Sequence, residues 1–450
     1  MPVVGLRRVV IVGGGLAAVR AAERLAQRGF TGQVDIVGGE PHVPYRRPAL
    51  SEGVLMGRVA PRDLRIQAQL PARVRWVRGV RAVGLDRAAR RVSLSNGREL
   101  PYDGLVIATG LRARTLPAFD GLAPGVAHTL RTVEDALRLR RDARRARHVL
   151  IVGGGLIGTE SAWSLRSQGI PVTVVDPMPT LLSDVAGPHM GAALTALHRR
   201  RGVDVRTDTG IAGVEWGTRG VVANLTDDTV VRADAALVAI GAVPEVDWLV
   251  GTGLDVERGV SCEPTLHAVG ADDIVACGDC ARWPNLRFGG ESRRVEQWVT
   301  TTLMAQHAAD SLLDGREAAT AFTPIPWGWS EQWGIRLQLV GSPAPHAEHR
   351  IAGGDPEGLA GGYALHDELG QMVAGLTAER PGLTLRLMGE LAEQWPEPPA
   401  DAAARWRAAA VAPEPGLSIV EPLAPHAEPA GPPLRRFARS RNRGSTHATH

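Results

Sequence analysis

Two short glycine runs carry the chemistry that is plainest in this sequence. Gly13-Gly-Gly15-Leu-Ala-Ala18 and Gly153-Gly-Gly155-Leu-Ile-Gly158 each follow a short apolar run and precede an Ala/Leu-rich stretch. That order reads as buried parallel strand, tight turn and helix, with the helix N-terminus offering unpaired N–H groups to a pyrophosphate. A glycine turn alone is a weak signal. Each one here is followed by an acid at the end of the next apolar run: Glu40 lies 27 residues past Gly13, and Asp176 lies 23 past Gly153. A carboxylate so placed accepts hydrogen bonds from an adenosine ribose. Two turns backed by two acids predict two bound dinucleotides.

Other reactive groups are sparse. Cys277 and Cys280 form a CxxC pair inside Ala276-Cys-Gly-Asp-Cys-Ala281, with Cys262 upstream. A redox dithiol is one reading of that pair, and zinc is disfavoured because no second Cys/His pair has suitable spacing. No nucleophile with a neighbouring base is legible, and Ser51 lacks the sequence context for activation.

These groups need elements to hold them. The 450 residues are 44% apolar, and strand and helix patterns alternate, which predicts an α/β protein of two or three domains. A first dinucleotide-binding part spans 1–112, with a hairpin at Val92-Ser-Leu-Ser-Asn-Gly97 and a closing strand that ends in Ala-Thr-Gly110. Residues 113–241 repeat the plan: a helix over 133–146, the second glycine turn and a closing strand that ends in Ala-Ile-Gly241. The stretch 242–320 returns to complete the first part, and 321–410 reads as a small α+β module. Beyond it, 411–450 reads as a disordered basic tail.

Charge narrows the partners. Net charge is +3 and every basic Lys+Arg residue is an arginine, but Arg435, Arg436, Arg439, Arg441 and Arg443 crowd the tail without acids. The remainder is near neutral, so nucleic acid is not an expected partner. No apolar run reaches the roughly 18 residues of a membrane span. The first apolar stretch ends in the glycine turn rather than in a cleavage site, so no membrane association and a cytoplasmic location are expected.

Several longer motifs, in order, resemble the flavoprotein ferredoxin reductases of bacterial oxygenase systems, a group similar to putidaredoxin and rhodocoxin reductases within the pyridine nucleotide-disulfide oxidoreductase superfamily. They are Glu40-Pro-His-Val-Pro-Tyr-Arg-Arg-Pro-Ala-Leu-Ser51, Ala-Thr-Gly110, Leu130-Arg-Thr-Val-Glu-Asp135, Gly153 to Glu160, Ala276-Cys-Gly-Asp-Cys280, Arg294-Val-Glu-Gln-Trp298 and Pro326-Trp-Gly-Trp-Ser-Glu-Gln332. The resemblance implies two Rossmann-like domains, for FAD and NAD, plus a small C-terminal α+β domain. It assigns Gly13, Gly15, Ala17, Ala18, Glu40, Arg47, Pro48, Ala82, Thr109, Gly110, Arg131, Gly278, Asp279, Trp298 and Trp329 to FAD. It assigns Gly153, Gly155, Ile157, Gly158, Asp176 and Gly241 to NAD(H). Asp176 favours NADH, since a carboxylate repels the 2′-phosphate of NADPH and the following Pro-Met-Pro-Thr-Leu-Leu holds no arginine for it. The implied reaction passes a hydride from NADH to flavin and then single electrons to an iron–sulfur ferredoxin that supplies an oxygenase. An NADH oxidase or quinone reductase of the same fold, and a flavin-binding redox sensor, are the competing readings.

The chain also departs from that group. Where relatives carry lysine after Leu-Ser, this sequence has Glu52, and the lysine's glutamate partner in relatives matches Glu160. Two carboxylates then fall close together, and one of them is expected to have a raised pKa unless an arginine intervenes. Thr300, Thr301 and Met304 stand where relatives have Asn, Ala and Gln, and Gly328 where they have Phe.

Overall fold

The computed structural model describes residues 6–119, 125–217, 220–343 and 347–411. The chain divides into two contact units, Met1–Ala408 and Ala409–His450. Except for the end of the helix Ala402–Val411, the expected disordered tail lies outside the described residues.

Strands Arg8–Val12, Gln33–Gly38, Val74–Arg78, Gly104–Ile107 and Ile274–Ala276 form one five-stranded sheet whose neighbours are all parallel. Val9, Val10, Ile11, Leu105, Val106 and Ile107 are fully buried, as strands covered on both faces require. A second sheet repeats the layout with Asp204–Arg206, Val172–Val175, Val149–Val152, Ala235–Val238 and Ala127–His128, again all parallel. Each sheet has a three-stranded antiparallel meander inserted: 82–101 between Val74–Arg78 and Gly104–Ile107, and 211–233 between Asp204–Arg206 and Ala235–Val238. The expected hairpin is present, pairing Arg91–Leu94 with Glu99–Pro101 across a turn in which Gly97 has φ +80°.

The helix expected over 133–146 runs Val133–Ala143. Thr132 and Asp135 form a reciprocal capping box at its start. Its end comes early because the Arg147 N–H and side chain are both tied to Asp234, which turns the chain toward the next strand. The last module is a five-stranded antiparallel sheet in the order Trp327–Gln332, Ile335–Gly341, Met372–Ala378, Ala360–His366, Glu348–Asp355, with helix Pro381–Gln394 on one face. Among the described residues no helix is long and apolar enough to cross a membrane.

Candidate dinucleotide and redox site

Both glycine turns lie at the carboxyl ends of their strands and are closed by the same hydrogen bonds. Gly13 N–H donates to the Val37 carbonyl at 2.8 Å, and Gly153 N–H to Val175 at 2.9 Å. Ala108 N–H donates to Val12 at 2.7 Å and Ala239 N–H to Val152 at 2.8 Å, which seats each turn against the strand that ends in Gly110 or Gly241. Gly13 has φ +132°, and a Cβ there meets the Ala108 carbonyl oxygen at 2.0 Å. Gly153 has φ +108° and a Cβ meets the Ala239 oxygen at 2.4 Å. Only glycine fits either place. Gly15 and Gly155 stand in extended backbone just before helices Leu16–Gln27 and Leu156–Arg166, with open space where a Cβ would be. Ala18 is fully buried, whereas a Cβ at its counterpart Gly158 falls 1.9 Å from the Gly153 oxygen. Ile157 remains 39% exposed beside that turn.

The two acids follow equivalent strands, Asp176 directly and Glu40 two residues farther on, and have different partners. The Glu40 carboxylate accepts from Arg47 Nη2 at 2.5 Å and from the Tyr45 hydroxyl at 2.5 Å. Arg47 also donates to the Arg131 carbonyl at 2.7 Å, and the Tyr45 oxygen accepts the Val133 N–H at 3.1 Å. Asp176 is turned inward and 9% exposed, accepting from the Gly154 N–H and from the Met178 N–H, the latter at 2.7 Å. It therefore shapes the turn.

A second set of residues converges opposite the first turn, from segments far apart in sequence. A Cβ on Gly278, which has φ +75°, comes 3.1 Å from the Ala17 side chain. Asp279 accepts from Thr301 Oγ1 at 3.2 Å and lies 3.4 Å from Arg131 Nη2, while Arg131 Nε donates to the Leu111 carbonyl at 3.0 Å, one residue after Gly110. Thr109 Oγ1 is buried with no hydrogen-bond partner in the protein. Ala82 opens a meander strand, and the preceding Arg81 lies against Gly39. Trp298 begins helix Trp298–Asp314, and Trp329, 38% exposed, sits with Trp327 at 5.7 Å and the Arg336 guanidinium at 5.4 Å. Pro48 starts a short 3-10 turn just after Arg47.

The departures at 300, 301, 304 and 328 are wired to one another. Met304 Sδ accepts the Gly278 N–H at 3.1 Å and Thr301 holds Asp279, so both steady the Gly-Asp pair. Thr300 Oγ1 donates to Gln297 Oε1 at 3.0 Å, and a Cβ at Gly328 falls 2.9 Å from Gln297 Cγ. The Gln297 side chain fills the space that a larger residue at 328 needs.

Neither Glu52 nor Glu160 is paired with an arginine among the described residues, and the Glu160 charge acts on Glu52. Glu160 is 7% exposed, and its two oxygens accept from Ser51 Oγ at 2.6 Å and Ser330 Oγ at 2.5 Å. Burial lifts the Glu160 carboxyl to about 7, with the two serine bonds pulling the other way. Burial also lifts Glu52 to about 8, reinforced by the Glu160 and Glu331 charges and opposed by a backbone hydrogen bond from Glu331.

The cysteines form no second redox centre. Cys262, Cys277 and Cys280 are free, fully buried thiols whose pKa values burial pushes up, the opposite of a reactive thiolate. Sequence reading missed Tyr45, Ser51 and Ser330. Tyr45 had a local cue, since it lies between Glu40 and Arg47, but the serines are joined to Glu160 across 109 and 170 residues and had none.

The residues present fit two dinucleotides: two turns that a Cβ would fill, an unpartnered buried Thr109 hydroxyl, and acids at both strand ends. The family model for pyridine nucleotide-disulphide oxidoreductases matches residues 7–305. The ferredoxin reductase component of chlorobenzene dioxygenase from Cupriavidus sp. (strain PS12) is 36% identical over 374 residues, 83% of this chain and 90% of that protein. Rhodocoxin reductase of Rhodococcus erythropolis is 32% identical over 88% of this chain and 92% of its own length. The crystal structure of the covalent putidaredoxin reductase–putidaredoxin complex superposes with a TM-score of 0.80 at 28% identity, covering 90% of this chain and 99% of that one.

Proposed function

This chain belongs to the pyridine nucleotide-disulphide oxidoreductase family, and from that premise we propose that it is the NADH:ferredoxin reductase of an oxygenase system. The observation that carries the reading is the duplicated cradle, in which two parallel sheets each present a glycine turn and an acid at the same strand ends. Relatives named as ferredoxin–NAD(+) reductase components of benzene and p-cumate dioxygenase systems align over most of the chain. FAD, when bound, supplies the chemistry that turns a two-electron hydride donor into a source of single electrons.

The protein's own residues bind and orient. Gly13 to Ala18 offer the first helix N-terminus to one pyrophosphate, and Gly153 to Gly158 offer the second to the other. Glu40, joined to Arg47 and Tyr45, faces the FAD ribose. Arg131 and Asp279 hold the far side, and the ionised Asp279 can accept from sugar hydroxyls. Asp176 selects NADH over NADPH through charge; Arg206 neighbours it through a backbone hydrogen bond, but the Arg206 side chain is engaged with Asp204 and Thr229. Trp298 and Trp329 bound the isoalloxazine side. A cytoplasmic location, where NADH is supplied, belongs to the same reading.

Stopped-flow mixing of the FAD-loaded protein with NADH or NADPH, then with an acidic iron–sulfur ferredoxin and cytochrome c, tests it. The expected result is rapid flavin bleaching by NADH, slow bleaching by NADPH, and cytochrome reduction that requires the ferredoxin. Bleaching without that relay overturns the ferredoxin assignment in favour of oxygen or a quinone as acceptor.

A further inference from the structure

The Glu160 carboxylate is where three parts of the molecule meet. Its own helix, Leu156–Arg166, belongs to the NAD-side sheet. Ser51 and Glu52 follow the 3-10 turn Pro48–Leu50 of the FAD-side loop that begins at Glu40. Ser330 and Glu331 lie in strand Trp327–Gln332 of the third module. Ser51 Oγ and Ser330 Oγ each donate to a different oxygen of Glu160, and Ser164 Oγ donates to the Ser51 carbonyl at 2.6 Å, which fixes the loop to the same helix. Both hydroxyl protons are thus used in holding one carboxylate. The second carboxyl, Glu52, forms no ion pair among the described residues; the charges that act on it are those of Glu160 and Glu331, and its compensating contact is the Glu331 backbone. Two carboxylates without an ion-paired cation at a buried junction cannot both ionise without repulsion, which separates the loop from the helix and strand it joins.

We propose that Glu52 and Glu160 do not both ionise at neutral pH, one of them keeping its proton, and that this lets the Arg47–Pro48 loop and the Trp329 strand stand against each other around the serine-held Glu160. Protonation removes one of two negative charges that would push these parts apart. Arg47 and Pro48 stand a few residues before Ser51, and Trp329 adjoins Ser330, so loss of the proton reaches the two walls assigned above to FAD. This inference rests on the flavin reading for its effect on FAD, but the pair itself can be tested without turnover.

The sign follows from the raised pKa values. An ordinary glutamate titrates near 4.5, whereas the folded pair titrates at about 7 and 8. The folded state holds the extra proton between those limits. Its stabilising effect is complete below the ordinary value and is lost as pH rises through 7 to 8. The groups acting on the two carboxyls are Ser51 from the loop and Ser330 and Glu331 from the strand, with Arg336 paired across the ladder from Glu331.

The test uses the full-length FAD-loaded protein as wild type, Glu52→Gln and Ser330→Ala, melted at closely spaced pH values from about 5.5 to 9.5. Tryptophan emission reports unfolding, and flavin fluorescence reports release. We expect the wild-type midpoint to fall through pH 7 to 8 and the FAD dissociation constant to rise over the same range, by at most about tenfold per pH unit for one proton. Glu52→Gln keeps the shape but removes one ionisation, so both pH slopes flatten. Ser330→Ala removes a donor that favours the ionised form of Glu160, so the fall moves to higher pH. Parallel falls in wild type and Glu52→Gln would falsify the retained proton. A flattened melting slope with an unchanged FAD slope overturns the positioning of the flavin walls. Neither result bears on the ferredoxin assignment, which the NADH and cytochrome experiment decides separately.

Discussion

Asp176 and Glu40 follow equivalent strands yet do different work, because Glu40 lies two residues farther past its strand and meets different donors. Glu40 reaches outward to Arg47 and Tyr45, whereas the shorter Asp176 folds back onto the N–H groups of Gly154 and Met178. Removing the Asp176 carboxylate therefore loses a ribose acceptor and also leaves two backbone donors of the turn without partners. A charge-assisted hydrogen bond is worth about 1.5–3 kcal/mol, so Asp176→Ala is expected to raise the KM for NADH roughly 10- to 100-fold by that contribution. The same change removes the charge that repels the 2′-phosphate, so the NADH/NADPH ratio of kcat/KM falls as well. Steady-state kinetics with both nucleotides measures this, and an unchanged ratio shows that Asp176 only braces the turn.

At the scale of the element, the glycine turns were legible because everything that defines them is local: strand, turn and helix occupy adjacent residues. The reason that only glycine fits was not, since the atoms that exclude a Cβ belong to Ala108 and Ala239, on strands about 90 residues away. The same limit explains the site. Glu40 and Asp176 follow from spacing, and the Arg47, Arg131, Asp279 and tryptophan positions came from the resemblance. The serine bonds to Glu160 depended on how three modules pack. The duplication makes a paired experiment possible. Gly13→Ala places a methyl against the Ala108 oxygen, and Gly153→Ala places one against Ala239. Each forces backbone strain of about 1–3 kcal/mol, but on different dinucleotides. Gly13→Ala is expected to purify with a low flavin-to-protein absorbance ratio. Gly153→Ala is expected to keep its flavin and bleach slowly with NADH. Flavin loss in both variants shows that the two turns are not independent sites.

Across the whole molecule, two junctions between modules are built from groups held uncharged or partly protonated, and they respond to pH in opposite directions. The Glu52–Glu160 pair weakens as pH rises. Two residues farther along the same strand than Ser330 and on the same face, His198 from helix Ser183–Arg200 is fully buried, hydrogen-bonded through Nε2 to Gln332 Oε1 at 2.7 Å and packed edge-on against Trp333. Burial holds its pKa down at about 4, below the usual 6.5, partly offset by the Gln332 bond. The unfolded chain therefore takes up a proton that the folded chain refuses. The stability from neutral His198 is present above pH 6.5 and is lost as pH falls toward 4. Each unit of displacement corresponds to about 1.4 kcal/mol, so the loss approaches about 3 kcal/mol when complete. Buried His267, also depressed to about 4, adds a second loss of the same sign, so replacing His198 is expected to remove one contribution and leave the other. Urea midpoints of wild type and His198→Gln between about pH 4 and 7 test this, with the variant less stable at pH 7 and its slope shallower. Identical slopes show that His198 is not the group that titrates, and the acid-side weakness must then lie away from the junction between the NAD-side helix and the third sheet.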